Sequence, residues 1–407
     1  MGLNEPRNDV KIHHFDECEG DTFMKISRHS LIFGLSYALD IAGRNNLSHS
    51  KSVAYIAVLI GRELGLDNDA IIELFYTGLL HDIAMSNTYD MVEHCVDGEE
   101  MLSKLPLPKN IAKNVYYHHE FYDGSGNFGL SGDEIPQNAL IVCFASAFDD
   151  RFGKFFDNNY EFVAYRTIEE WLHTQSPLFS ERIVEALENL IRREAFLLDY
   201  FNSETKFVLY KNIVSDDGVY YDYDDVVKYA LCFADIIDCK SPFTHTHSLG
   251  IANLARQAAA ALGYDENIQK DMYIAGLLHD IGKLDVSPDI LHKNGPLTLE
   301  ERFEINKHTY FSRKILEQID GFEDIVNYAA NHHERLDGTG YPYRMEEDEL
   351  SDPERIMAIC DVYQALTEER PYREKLSSDK VWRIIDGMVE NRHLDALLVS
   401  KLKRVFD

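Results

Sequence analysis

The chain has 407 residues, with 40 Lys and Arg against 70 Asp and Glu, for a formal net charge of −30. Such a length supports about two to three domains, each able to bury its own core, and the charge repels a nucleic-acid backbone, which excludes a long polyanion as ligand. A small anionic nucleotide stays open if local cations, most simply metals, reverse the field at one site.

The first twenty residues, MGLNEPRNDVKIHHFDECEG, lack an apolar stretch behind basic residues, which argues against a secretory signal. No apolar run approaches the roughly 20 residues that span a bilayer. Six cysteines, at 18, 95, 143, 232, 239 and 360, form no CxxC pair and read as reduced thiols of a cytoplasmic protein. Residues 1–192 form a first helical unit, and 193–224 is an aromatic, acidic linker that begins as a helical extension. Residues 225–407 form a second unit. There, SLGIANLARQAAAALG places apolar residues at i, i+3 and i+4 and ends on glycine. DMYIAGLLHDIGKL, apolar on most faces, predicts a helix inside a bundle. EERFEINKHTYFSRKILEQI, FEDIVNYAANHHE and ERIMAICDVYQALTEE continue the helical period, and DGTGYP interrupts it as a turn. The expected fold is all-α with little or no sheet.

The two units are copies of each other. GLLHDI occurs at Gly78–Ile83 and again at Gly276–Ile281, and His49 and His81 match His247 and His279 at an offset of 198. His94 and His118 match His308 and His332 at 214, so the second copy carries 16 more residues (214 − 198) between those points. Asp123-Gly124 and Asp337-Gly338 keep the offset of 214. Order held over that distance means a duplicated domain, two tandem bundles.

In the second copy the pattern points to metal. His279 and Asp280 are adjacent in an apolar segment with Lys283 one turn on, and neighbouring helices supply His247, His308, His332, His333 and Asp361. Imidazoles and carboxylates suit first-row transition metals. Five histidines and two aspartates exceed one tetrahedral site, and Asp280 can bridge, so two ions are expected. Paired ions suit phosphoester cleavage.

The second copy resembles an HD-GYP domain of the HD superfamily, carried by IIDCKSPFTHTHS, LLHDIGKLDVSPDILHKNGPLTLEE, HHERLDGTGYP and ICDVYQALTEERPYR. The resemblance implies a helical bundle with an iron- or manganese-type cluster that cleaves a cyclic dinucleotide. Cyclic di-GMP, converted to pGpG or GMP, is favoured, with hybrid cyclic GMP-AMP the alternative. It assigns His247, His279, Asp280, His308, His332, His333 and Asp361 to the metals, with Asp280 and Lys283 as the catalytic pair. Lys283, Gly340, Tyr341, Pro342, Arg370 and Arg373 become substrate contacts. Some relatives of that type hold a third metal through a glutamate where this chain has Phe243, so two ions are expected rather than three.

The first copy keeps His49, His81, Asp82, His94, His118 and His119 as a vestigial metal site. Lys283 is replaced there by Met85, Asp361 by Ser146 and DGTGYP by DGSGNF, although Asp149 and Asp150 lie near enough to substitute for the missing carboxylate. It therefore resembles a degenerate HD domain with a regulatory or dimerisation role, and a homodimer is compatible with the pattern. A generic HD nucleotidase fits HHERLDGTGYP and RPYR less well. A non-catalytic, nucleotide- or redox-responsive scaffold conflicts with the complete ligand set and Lys283.

Overall fold

The computed structural model describes residues 24–42, 48–85, 90–153, 161–175, 177–201, 217–240, 247–293, 295–368 and 376–406. Phe243, Arg370 and Arg373 lie outside the described residues. The elements of the first half are β1 (Ile26–Ser27), α1 (Arg28–Ala42), α2 (His49–Glu63), α3 (Asn68–Leu80), α4 (Met91–Ser103), α5 (Ile111–Tyr116) and α6 (Gln137–Phe152). They continue with α7 (Glu161–Gln175), α8 (Glu181–Ile191) and α9 (Glu194–Phe201). The second half follows with β2 (Tyr220–Tyr221), α10 (Tyr223–Lys240), α11 (His247–Leu262), α12 (Glu266–Leu278), α13 (Pro288–Leu291) and α14 (Leu299–Leu316). It closes with α15 (Glu323–Ala330), α16 (Asp352–Thr367), α17 (Ser378–Glu390) and α18 (Ala396–Phe406). The fold is all-α; β1 and β2 form a two-residue antiparallel ladder with Ile26 opposite Tyr221.

The duplication reaches down to the helix ends. Asp67 starts α3 by accepting from Ala70 N at 2.9 Å, and Asp265, at the same offset of 198, starts α12 by accepting from Asn267 N and Ile268 N. The glycine of GLLHDI is fixed by packing. A Cβ on Gly78 would lie 2.5 Å from Ala54 Cα, and one on Gly276 would lie 2.5 Å from Ala252 Cα. The backbones of α2 and α3, and of α11 and α12, therefore touch, and that crossing brings the histidine opening one helix beside the histidine ending the other.

GLLHDIGKL is not one continuous helix. α12 ends at Leu278, His279 and Asp280 form a turn, and Ile281–Asp285 winds as a 3₁₀ helix. The cause is a close approach: a Cβ on Gly282 would collide with the carbonyl oxygen of His308, so α14 lies directly against the turn. Ser312 Oγ seals the contact, accepting from Gly282 N at 3.0 Å and donating to His279 O at 2.8 Å.

Helix α1 belongs to the first copy by sequence and packs on both copies. Ser30 Oγ accepts from Asp320 N at 2.7 Å, Gly34 lies against Ile319, and α1 touches the 3₁₀ turn that carries Lys283. Asp217, in the stretch expected to be a linker, accepts from Arg28 Nε and Nη2 at 2.9 and 2.7 Å and from Tyr76 Oη at 2.7 Å. Buried apolar side chains of both halves join a single core.

Candidate metal centre

Asp280 stands at the turn after α12 with a side chain only 4% exposed. His279 Nε2 lies 3.1 Å from its Oδ2, while His308 Nε2 and His332 Nε2 lie 3.3 and 3.9 Å from its Oδ1. On α16, Asp361 Oδ2 is 3.7 Å from His333 Nδ1, and the rings of His332 and His333 are 4.1 Å apart. Two groups of donors result: His247, His279 and Asp280 in one, and His308, His332 and His333 in the other. Within each group the donor atoms lie within 4.8 Å of one another. The seven side chains expected to ligate thus converge from α11, the turn, α14, the end of α15 and α16.

Hydrogen bonding tests whether this donor set fits cations. His279 Nδ1 donates to Gly276 O at 2.8 Å, His308 Nδ1 to Ile305 O at 2.7 Å and His332 Nδ1 to Ala329 O at 2.6 Å. His308 and His332, as neutral rings, then each turn a bare Nε2 lone pair inward. His308 Nε2 and His332 Nε2 face each other at 3.4 Å, and the buried His279 Nε2 and Asp280 Oδ1 have no hydrogen-bond partner. Acceptors facing acceptors in a buried space repel unless they share a cation. The residues fit divalent metal.

The electrostatics agree. Burial pushes His308 down to about 3 and His332 to about 4, leaving both neutral, the form that ligates. Burial opposes the charge on Asp280, but His279 and Lys283 hold its carboxyl well below the usual carboxylate range. His279 moves upward: burial opposes its charge, and the adjacent Asp280 outweighs burial. Lys283 Nζ donates to Asp280 Oδ2 at 2.5 Å and keeps 27% of its side chain exposed, so its ammonium stands at the mouth of the cluster.

Four supporting carboxylates were not singled out from the sequence. Glu368 Oε2 accepts from His247 Nδ1 at 3.0 Å, fixing which ring nitrogen faces the cluster. Asp238 accepts from Ser248 Oγ at 2.8 Å and holds the first turn of α11, where His247 sits. Its counterpart Asp40 accepts from Ser50 N at 2.7 Å beside His49. The repeated nine-residue step from aspartate to histidine (49 − 40 and 247 − 238) was the available signal. Glu334, the third residue of HHE, accepts from Tyr343 N at 2.7 Å and Met345 N at 3.0 Å, pinning the loop of Gly340, Tyr341 and Pro342. That loop brings the Tyr341 ring to 4.9 Å from His333, while Gly340 packs against the backbone of Glu334.

The first half repeats much of this geometry. His81 Nε2 and His94 Nε2 lie 3.4 and 3.5 Å from Asp82 Oδ1, and His49 Nε2 lies 3.7 Å from Asp82 Oδ2. His94, His118 and His119 gather as a second group beside His49, His81 and Asp82. Ser146 stands at the position of Asp361; one turn along α6, Asp149 Oδ2 accepts from His49 Nδ1 at 2.7 Å. Asp149 therefore plays toward His49 the part that Glu368 plays toward His247. The loop differs: Phe128 stacks on Tyr116 at 4.3 Å, and Met85 stands where Lys283 stands.

Comparison with known proteins agrees with this architecture. The HD domain family matches residues 46–150 and, in a second form, 232–398. The chain is 30% identical to 3′3′-cGAMP-specific phosphodiesterase 1 of Vibrio cholerae over 91% of its own length and 90% of that protein. It is 34% identical to a cyclic di-GMP phosphodiesterase of Thermotoga maritima over 36% of this chain and 40% of that one. A solved cyclic GMP-AMP specific phosphodiesterase of Vibrio cholerae superposes with a TM-score of 0.70 at 23% identity, covering 94% of this chain and 98% of that chain, a likeness of fold. Among the described residues, no helix is long and apolar enough to cross a membrane.

Proposed function

Because the chain belongs to the HD-domain cyclic-dinucleotide phosphodiesterases of the HD-GYP type, we propose that its second half is the hydrolytic one and that 3′3′-cGAMP is its preferred substrate. The observation that carries the reaction is the seat of Asp280, walled by His279, His308 and His332, with the Lys283 ammonium 2.5 Å from the same Oδ2 that faces His279.

A pair of divalent ions held by His247, His279, Asp280, His308, His332, His333 and Asp361 would supply an activated water and offset phosphoryl charge. The chain's own groups do the rest. Lys283, partly exposed beside Asp280, meets a phosphoryl oxygen and is placed to hand a proton to the departing sugar oxygen. Asp280 keeps that lysine orientated. Tyr341, its ring against His333, walls off one side and limits stray water. Glu334 keeps Tyr341 there by binding the backbone of the same loop.

The substrate preference rests on extent of similarity. The relative named for 3′3′-cGAMP aligns through both halves, whereas the Thermotoga maritima relative named for cyclic di-GMP aligns over about a third of the chain. The order of preference drawn from the sequence, cyclic di-GMP first, is thereby reversed. Iron or manganese is the proposed metal, at two ions in this centre. Chromatography of products from each cyclic dinucleotide, with metal-loaded protein, tests the reading. The expected result is a kcat/KM at least ~10-fold higher for 3′3′-cGAMP, a gap of about 1.4 kcal/mol in transition-state binding. A reversed ratio overturns the substrate, and no turnover of either dinucleotide by metal-loaded protein overturns the reaction.

A further inference from the structure

We infer that Asn331, clamped between Arg313 and Glu354, is a positioning residue that sets His332 and His333 against the other ligands of the second half; the inference rests on that half being the hydrolytic one. Asn331 ends α15 immediately before the paired histidines and is buried. Its Oδ1 accepts from Arg313 Nη2 at 3.0 Å, and its Nδ2 donates to Glu354 Oε1 at 2.5 Å. The same Arg313 nitrogen donates to Asn327 Oδ1 at 3.1 Å, one turn earlier in α15. Glu354, also buried, accepts through Oε2 from Ser351 N and Oγ at 2.7 and 2.5 Å, where α16 begins. An amide suits this place because it turns an acceptor to the guanidinium and a donor to the carboxylate.

The clamp joins three elements that carry ligands. Arg313 lies five residues after His308 on α14, and Glu354 seven residues before Asp361 on α16 (313 − 308 and 361 − 354). Glu334 N donates to Asn331 O at 2.9 Å, so the two histidines sit in a turn closed by Asn331 and by the carboxylate that pins the Tyr341 loop. Arg313 meets that loop as well, its guanidinium 5.3 Å from the Tyr343 ring. A shift at Asn331 therefore moves two imidazoles and the loop together, and a displacement of about 1 Å can cost about 10²-fold in rate.

The duplication supplies the contrast. The first half keeps the histidines and the loop carboxylate: Glu120, in the place of Glu334, accepts from Phe128 N at 2.6 Å and from Leu130 N at 2.7 Å. At the clamp positions it carries Glu99 for Arg313, Lys113 for Asn327 and Tyr117 for Asn331, all at the offset of 214. Ala139 stands for Glu354 at the offset of 215 that relates Ser146 to Asp361. That set lacks the amide and both of its partners. The clamp thus accompanies Lys283 and not the histidine pattern as such.

The test moves the amide across the clamp. Asn331→Asp still accepts from Arg313 but sets a carboxylate against Glu354. Adding Glu354→Gln returns a donor from the other side, so the double variant regains every hydrogen bond with one reversed. Each full chain is loaded with Mn²⁺ without oxygen and assayed for turnover of 3′3′-cGAMP and for Mn²⁺ retention against a chelator. Asn331→Asp should lower kcat about 10–100-fold with KM within about 3-fold of wild type, and the double variant should recover most of the loss. A clamp that only stabilised the fold would lower the denaturant midpoint and leave kcat of the folded protein unchanged. Wild-type kcat in a folded Asn331→Asp protein overturns the inference, as does a double variant no faster than the single one. Should Asn331→Asp not fold, Arg313→Met, which keeps the stem and loses the donor, decides in its place, and an unchanged kcat again overturns it. Failure of the proposed reaction looks different: metal-loaded wild type turns over no cyclic dinucleotide. Chelator competition then reads the clamp alone, with Asn331→Asp expected to hold Mn²⁺ about 10-fold more weakly and equal retention overturning the inference.

Discussion

A single charge separates the two clusters at the position shared by Lys283 and Met85. Both halves bring imidazoles to an aspartate, but only in the second does an ammonium stand 2.5 Å from that carboxylate with its tip exposed. If Lys283 works on the phosphate and not on the metals, Lys283→Met should lower kcat by about 10²–10⁴-fold with metal content unchanged. Asp280→Ala should lose metal and turnover together. Equal metal loss in the two variants would contradict these roles. Glu368 acts one step further out, through His247. Glu368→Ala is expected to weaken metal binding about 10–100-fold, read by competition with a chelator, while Glu368→Gln, which can still accept from Nδ1, should recover most of it. The histidines and aspartates were legible in the sequence because their order repeats. Glu368 was not, since a glutamate near the end of a helix is ordinary and only folding places it 3.0 Å from His247.

At the scale of elements, Gly78 and Gly276 carry most of the explanation for a six-residue match. Each permits backbone contact with an alanine of the preceding helix, and that contact positions two of the histidines in its half. Gly78→Ala and Gly276→Ala should each destabilise by about 1–3 kcal/mol through overpacking, measured by denaturant midpoint. The two should differ in consequence: Gly276→Ala also lowers turnover, whereas Gly78→Ala leaves it near wild type. Helices of the second half follow the apolar period, as α11 and α14 illustrate. GLLHDIGKL was misread as a single helix because its apolar pattern continues past Leu278. The switch to 3₁₀ comes from α14 pressing on Gly282, a tertiary cause that local pattern does not carry.

Over the whole molecule, the unexpected feature is how the halves are joined. Helix α1 crosses to the second half and rests on the turn bearing Lys283, and Asp217 gathers Arg28 and Tyr76 into one network. The Arg28 side chain is 13% exposed and the Asp217 side chain 4%, so removing one partner strands the other away from water. Asp217→Ala should cost about 2–4 kcal/mol, and adding Arg28→Ala should cost little more. Fully additive losses in chemical unfolding would mean the two do not act as a pair.

The amino-acid sequence by itself determined the helical fold, the duplication and the identity of the cluster residues, because helical period, helix starts and repeated histidine spacing are local or strictly ordered along the chain. Tertiary structure alone decided which carboxylates orient which imidazoles, where the HD helix breaks, and that His81 in the first half turns its Nε2 toward Asp82. Those outcomes depend on atoms far apart in sequence meeting within a few ångströms, a distance that spacing along the chain does not encode.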